Sequence, residues 1–147
     1  MPFMTLLLSS EIYATGMEPN SKTILVVDDS NVTLHFISEL LKCSGYKVLT
    51  ARNGKQAIAS IDNHLIDIVL LDLMMPVISG FEVLARIKSN TNYNALPIMI
   101  VSACCDQENI EKAMKMGASA YFTKPLVVED LLKQVKFQLE SVAILNL

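Results

Sequence analysis

The chain reads as an α/β fold, a doubly wound parallel sheet with helices on both faces. Three observations predict this. From Thr23 onward, short apolar runs alternate with helical segments, the pattern of repeated strand–helix–strand units. The runs are continuously apolar rather than alternating, as expected of strands covered on both sides. Four of them stop on polar residues: run 24–27 on Asp28 and Asp29, run 68–71 on Asp72, run 98–101 on Ser102, and run 120–123 on Lys124 and Pro125. Parallel strands would bring all four endings to the carboxyl edge, where open α/β sheets hold their sites.

The elements follow in order. Ser30 can cap the first helix, because its side-chain oxygen can accept an otherwise unpaired backbone N–H. Val32, Phe36, Ile37, Leu40 and Leu41 fall on one helical face, which is the predicted buried side. Gly45 stops this helix, and residues 46–50 read as a second strand. A short helix over 53–62 turns Ala57, Ile58 and Ile61 inward. After a strand over 67–72, Pro76 and Gly80 make a turn, and Phe81, Leu84 and Ile87 follow at helical spacing. An Asn-rich loop over 90–94 leads to the fourth strand. The helix over 107–116 is closed by Gly117. The last helix spans 127–142, with Val128, Leu131, Leu132, Val135, Leu139 and Val142 as its buried stripe and Phe137 on the opposite face.

A length of 147 residues suits one domain. Its expected span is 22–142, after a flexible leader over 1–21 and before a tail over 143–147. Pro19, Asn20 and Ser21 punctuate the first boundary, and Met17 is an alternative start. A second reading of the leader is an extra helix over 6–13 that docks on the domain or on a partner. The net charge of −3 argues against nucleic-acid binding as the main role, which calls for a basic face. A membrane span needs about 20 mostly apolar residues, and the richest region, 66–81, is interrupted by Asp67, Asp72 and Pro76. Residues 1–8 lack the basic flank of a secretory signal. Cys43, Cys104 and Cys105 are an odd set without metal-ligand spacing, and the adjacent pair would join only with strain. They read as reduced thiols of a cytoplasmic protein. His35 and His64 have no ligand partners at suitable spacing and read as surface residues. No Gly-rich phosphate loop is present.

The polar endings suggest chemistry. A carboxylate at Asp72 can act as a nucleophile and form an acyl phosphate. The plain alternative is a strand-end acid that caps a turn. Asp28 and Asp29 beside a third carboxylate would repel one another without a cation, and Mg²⁺ fits best. It binds through one or two carboxylates, keeps waters and accepts phosphate oxygens. Capping of the first helix by Asp29 or Ser30 is the metal-free alternative. Ser102 offers a hydroxyl and Lys124 a flexible point charge for a phosphoryl group. Lys124 precedes Pro125, and such a bond can be cis.

These residues have a recognisable pattern. Asp28-Asp29, the run Asp72-Leu73-Met74-Met75-Pro76 with Gly80, Ser102-Ala103 and Lys124-Pro125 resemble the receiver domain of two-component response regulators, of which the chemotaxis response regulator is the simplest. The resemblance covers about residues 23–139. It implies five parallel strands in the order 2-1-3-4-5 with five helices. It implies that Asp72 accepts a phosphoryl group from a phosphohistidine on a sensor histidine kinase or a phosphotransfer protein. Asp29, Asp72 and the backbone carbonyl of Met74 would bind Mg²⁺ directly, and Asp28 through a metal-bound water. Ser102 and Lys124 would hold phosphoryl oxygens, and Tyr121 would turn inward as Ser102 moves. Output would appear on the face of the last two helices and last strand, toward a downstream protein or a second copy. Ser102 stands where Thr is more frequent.

Such a chain is a phosphorylation-activated switch and not an enzyme in its own right. It is either a stand-alone receiver or part of a longer regulator. Two alternatives remain open on the sequence. One is a Mg²⁺-dependent phosphohydrolase with an Asp nucleophile, which fits less well because the first-strand acids are adjacent. The other is a pseudo-receiver bound by partners without phosphorylation.

Overall fold

The computed structural model describes residues 21–145, with side chains described through residue 142. The expected helix over 6–13, all but the last residue of the leader, and the end of the tail lie outside the described residues. The elements are β1 (Thr23–Val27), α1 (Asn31–Cys43), β2 (Lys47–Ala51), α2 (Gly54–Asn63), β3 (Ile68–Leu71), α3 (Gly80–Ser89), β4 (Ile98–Ser102), α4 (Gln107–Lys115), β5 (Ala120–Thr123) and α5 (Val128–Leu145). All strand pairs are parallel, in the order β2-β1-β3-β4-β5. This is the order the resemblance implied. The second strand starts one residue later than the expected 46, and the last helix runs to Leu145.

Local sequence sets the helix starts. Ser30 accepts from the Thr33 amide at 3.3 Å, Asn53 from Gln56 at 2.8 Å and Ser79 from Glu82 at 3.3 Å. Asp106 accepts from Glu108 at 3.2 Å. Each satisfies a backbone donor that the first helical turn leaves unpaired. Gly45, at φ 95°, and Gly117, at φ 106°, turn the chain out of α1 and α4 in the left-handed region that other residues avoid.

Strand alternation sorts the core into two layers. Leu25, Val27, Val69, Leu71, Ile98 and Ile100 pack on one face, with α2, α3 and α4 supplying Ala57, Ile61, Val83, Leu84, Ile87 and Ala113. Ile24, Val26, Ile68, Leu70, Met99 and Val101 pack on the other. There α1 supplies Leu34, Ile37 and Leu41, and α5 supplies Leu131, Val135 and Leu139. β3 and β4 are buried along their whole length, whereas the edge strand β5 is only half-buried.

One expected face is wrong. Val32 and Phe36 of α1 are exposed, at 80% and 52%, and the buried arc is Leu34, Ile37, Ser38 and Leu41, with Leu40 half-buried. The helix carries two overlapping apolar stripes, 32-36-40 and 34-37-41. Spacing alone does not say which one the sheet takes, because the docking angle decides. On α5, Leu131, Val135 and Leu139 are buried, while Val128, Leu132 and Val142 are half-buried; Phe137 is exposed.

Candidate functional site

The sheet ladder continues one residue past each strand and thereby aims the site residues. The Asp28 amide bonds Ala51 O at 3.1 Å, the Asp72 amide bonds Val27 O at 3.0 Å, and the Lys124 amide bonds Ser102 O at 2.9 Å. These bonds fix the backbones of β1, β3, β4 and β5 at a common edge. The four polar endings meet there, as the sequence pattern required.

Asp28 and Asp72 are buried, and Asp29 is exposed. Asp28 accepts from the Ser30 amide at 2.9 Å through one oxygen and from Lys124 Nζ at 2.7 Å through the other. Asp72 Oδ1 accepts from the Met74 amide at 3.1 Å, and its Oδ2 lies 3.6 Å from Lys124 Nζ. One ammonium thus sits against two buried carboxylates. The Lys124-Pro125 peptide is cis. Burial raises the Asp72 pKa, and the Asp28 charge adds to it. The Met74 amide, the Lys124 ammonium and the Ser102 hydroxyl pull it down. Burial disfavours the ionised form even though three groups stabilise it.

Ser102 is fully buried, and its Oγ accepts from the Cys104 amide at 3.2 Å. As that bond uses a lone pair, the hydroxyl proton remains able to donate elsewhere. Tyr121 is half-buried and donates its hydroxyl to the Cys104 carbonyl at 2.6 Å. Burial pushes the Tyr121 hydroxyl up to about 12, with Cys104 acting in the same direction. Cys104 therefore ties both expected switch residues together through its backbone. Spacing did not reveal this, since the bond spans two strands and a loop.

The loop after β3 alternates, with Leu73 and Met75 buried and the Met74 side chain exposed. Gly80 begins α3 directly against this loop. An added Cβ there would overlap the Asp72 carbonyl, so only glycine lets the helix approach so closely. Val77, fully exposed, has a φ of 68°, an unfavourable region for a β-branched residue.

A carboxylate oxygen from each of Asp28, Asp29 and Asp72 lies within 4.8 Å of the others. Three hard oxygen donors so close, one of them at the exposed rim, fit a small divalent cation that retains waters. Among the described residues, the three cysteines are free and two of them are exposed, so the donor set at the edge is oxygen alone. His35 and His64 are both exposed.

The chain matches the response regulator receiver domain family over residues 24–136. It belongs to that family. A probable cyclic di-GMP phosphodiesterase of Vibrio cholerae is 33% identical over 133 residues, which are 90% of this chain and 30% of that protein. The polar-differentiation response regulator DivK of Brucella anthropi is 28% identical over 115 residues, 78% of this chain and 94% of DivK. The chain thus spans less than a third of the first relative and nearly all of the second. A crystal structure of a response regulator receiver domain protein from Clostridium thermocellum superposes with a TM-score of 0.78 at 32% identity, covering 84% of this chain and 98% of that one. The protein is a receiver domain of the two-component type, a regulatory signalling domain. Such domains interact with histidine kinases or phosphotransfer proteins. Among the described residues, no helix is long and apolar enough to cross a membrane.

Proposed function

We propose that Asp72 is the phosphoacceptor of this receiver and that the acyl phosphate formed there is its signal. The observation that carries this reading is the buried Asp72 carboxylate held between the Met74 amide and Lys124 Nζ. The Met74 amide fixes Oδ1, which leaves Oδ2 as the attacking atom. It forms a bond to phosphorus while the bond to the donor's imidazole nitrogen breaks, and the imidazole leaves with that electron pair. Lys124 then moves its charge from Asp28 to a phosphoryl oxygen. The Ser102 hydroxyl donates to another, a contact available only in the phosphorylated form. That differential contact shifts the conformational balance, and Tyr121, bonded to the same loop, follows it.

Asp28, Asp29, Asp72 and the Met74 carbonyl are the groups that would hold Mg²⁺. When bound there, the ion offsets the charge of the incoming phosphoryl oxygens. Donors are a sensor histidine kinase or a phosphotransfer protein in the cytoplasm. The output face is α4, β5 and α5, toward a downstream protein or a second copy, with no direct contact to nucleic acid. We assign the receiver to residues 22–142, between a leader over 1–21 and a tail over 143–147. The chain takes part in its own phosphorylation without being an enzyme acting on other substrates.

Intact mass after incubation with acetyl phosphate tests this reading. One added phosphoryl group, dependent on Mg²⁺ and absent from Asp72→Asn, is the expected result. An adduct that persists in Asp72→Asn would move the acceptor elsewhere. Multiple turnover on a phosphate ester would favour the phosphohydrolase.

A further inference from the structure

We propose that Cys104 and Cys105 are an oxidisable dithiol whose closure to a vicinal disulfide uncouples Ser102 and Tyr121 from each other. Its consequence for signalling rests on the phosphoacceptor reading above; the modification itself does not.

The pair sits in the loop between β4 and α4, two residues beyond Ser102. Cys105 is exposed and Cys104 is half-buried. An oxidant therefore meets Cys105 first, and Cys104 is the adjacent thiol. The Cys104 sulfur is held in place by the Asn109 side-chain amide, at 3.3 Å, at the start of α4. Asn109 is itself anchored to Asp106 at 3.2 Å.

The shared peptide gives the pair its leverage. Neighbouring Cα atoms are about 3.8 Å apart across a trans peptide, which is shorter than the roughly 4.4–6.8 Å that disulfides span. No rotation lengthens that separation, so the eight-membered ring closes only by distorting the dihedral angles on both sides of the Cys104–Cys105 peptide, which turns its carbonyl and amide away from their present directions. That peptide carries the Cys104 carbonyl, the acceptor of the Tyr121 hydroxyl at 2.6 Å. The Cys104 amide, on the other side of the same residue, holds Ser102 Oγ at 3.2 Å. Closing the disulfide thus moves a residue whose backbone bonds both Ser102 and Tyr121. Strained, accessible disulfides are the labile ones, which suits a reversible modification.

The chemistry balances with a hydroperoxide as oxidant. The Cys105 thiolate attacks the peroxide oxygen, the O–O bond breaks, and a sulfenic acid forms with release of water or alcohol. The Cys104 thiolate attacks the Cys105 sulfur, the S–O bond breaks, and hydroxide leaves as water. Two thiols are oxidised and one peroxide is reduced.

The test uses the full chain carrying Cys43→Ser, so that the pair holds the remaining thiols. After hydrogen peroxide treatment, the peptide carrying both residues is expected to lose the mass of two hydrogens. Neither thiol then reacts with an alkylating agent, and dithiothreitol restores both. Cys105→Ser abolishes this loss. NMR resonances of Ser102 and Tyr121 move on oxidation whether or not the chain is phosphorylated. Phosphoryl uptake from acetyl phosphate falls about tenfold in the oxidised form, on the scale of one lost hydrogen bond, and recovers on reduction. Thiols that stay alkylatable, sulfonic acids without a disulfide, or covalent dimers in its place would overturn the proposal. So would a disulfide that leaves the Ser102 and Tyr121 resonances unmoved. A reduced chain that takes up no phosphoryl group counts against the Asp72 reading alone, because the mass and NMR measurements decide the modification separately.

Discussion

The two ends of the central strand β3 each carry an aspartate, and they live in opposite environments. Asp67, before the strand, is half-exposed and accepts from the Thr23 amide at 2.8 Å. It closes the amino edge of the sheet by satisfying a backbone donor of β1. Asp72, after the strand, is buried beside Asp28, and burial raises its pKa. It accepts from the Met74 amide of its own loop at 3.1 Å, and beyond that bond it concentrates charge that the fold holds in check with Lys124. The same residue type closes the ladder at one end and lies buried among charges at the other. The difference lies in desolvation and in neighbouring charge rather than in the residue itself.

Four measurements break or sharpen this contrast, the largest effect first. Lys124→Gln removes the cation that lies 2.7 Å from buried Asp28 and 3.6 Å from Asp72. The expected loss in a denaturant melt is about 2 kcal/mol, the cost of leaving a buried polar group poorly satisfied. Added Mg²⁺ is expected to recover part of it, and no recovery would argue that the acids do not share a cation site.

Asp67→Ala strands the Thr23 amide and should cost about 1–2 kcal/mol, with phosphoryl uptake from acetyl phosphate unchanged. A large fall in uptake with stability intact would contradict a purely structural role at the amino edge.

Asp72→Asn should move stability the other way, up by about 1 kcal/mol at neutral pH, measured with a chelator present. The folded-state pKa of Asp72 is raised. Its burial therefore costs nothing below the ordinary carboxylate range and costs more as pH rises through the raised value. The stability gap between variant and wild type should open with rising pH and close in acid. A gap independent of pH would remove burial of the charge as its cause.

Tyr121→Phe loses one hydrogen bond, to the Cys104 carbonyl, and should cost at most about 1 kcal/mol. Phosphoryl uptake should persist while the resonances around Cys104 shift. A large destabilisation would make Tyr121 a core residue rather than a coupling one.

Much of this molecule was legible in its sequence because the signals were redundant. Residues 98–101 and 120–123 are apolar runs that end on Ser102 and Lys124, and the observed strands coincide with those stretches. The alternation of such runs with helical segments leaves a parallel sheet as the economical arrangement. That arrangement forces the polar endings to one edge. Ser30, Gly45 and Gly117 are visible as punctuation because capping and left-handed turns depend on a single residue's own chemistry.

What depended on pairs distant in sequence was not legible. The buried side of α1 went to Leu34 rather than to Val32 and Phe36, since the helix offers two stripes and only its approach to β1 and β2 selects one. The close seat of Gly80 on the Asp72 carbonyl exists only once α3 packs back on the loop after β3, and the bonds of Cys104 to Ser102 and Tyr121 only once β4, β5 and the loop after β4 are assembled. The sequence by itself determined the fold class, the strand endings and the set of polar groups available, because these follow from local periodicity and residue chemistry. The tertiary structure alone decided which carboxylate is buried, which ammonium faces it and which loop residue bonds both Ser102 and Tyr121. Burial and charge proximity are properties of assembled neighbours, not of any one segment.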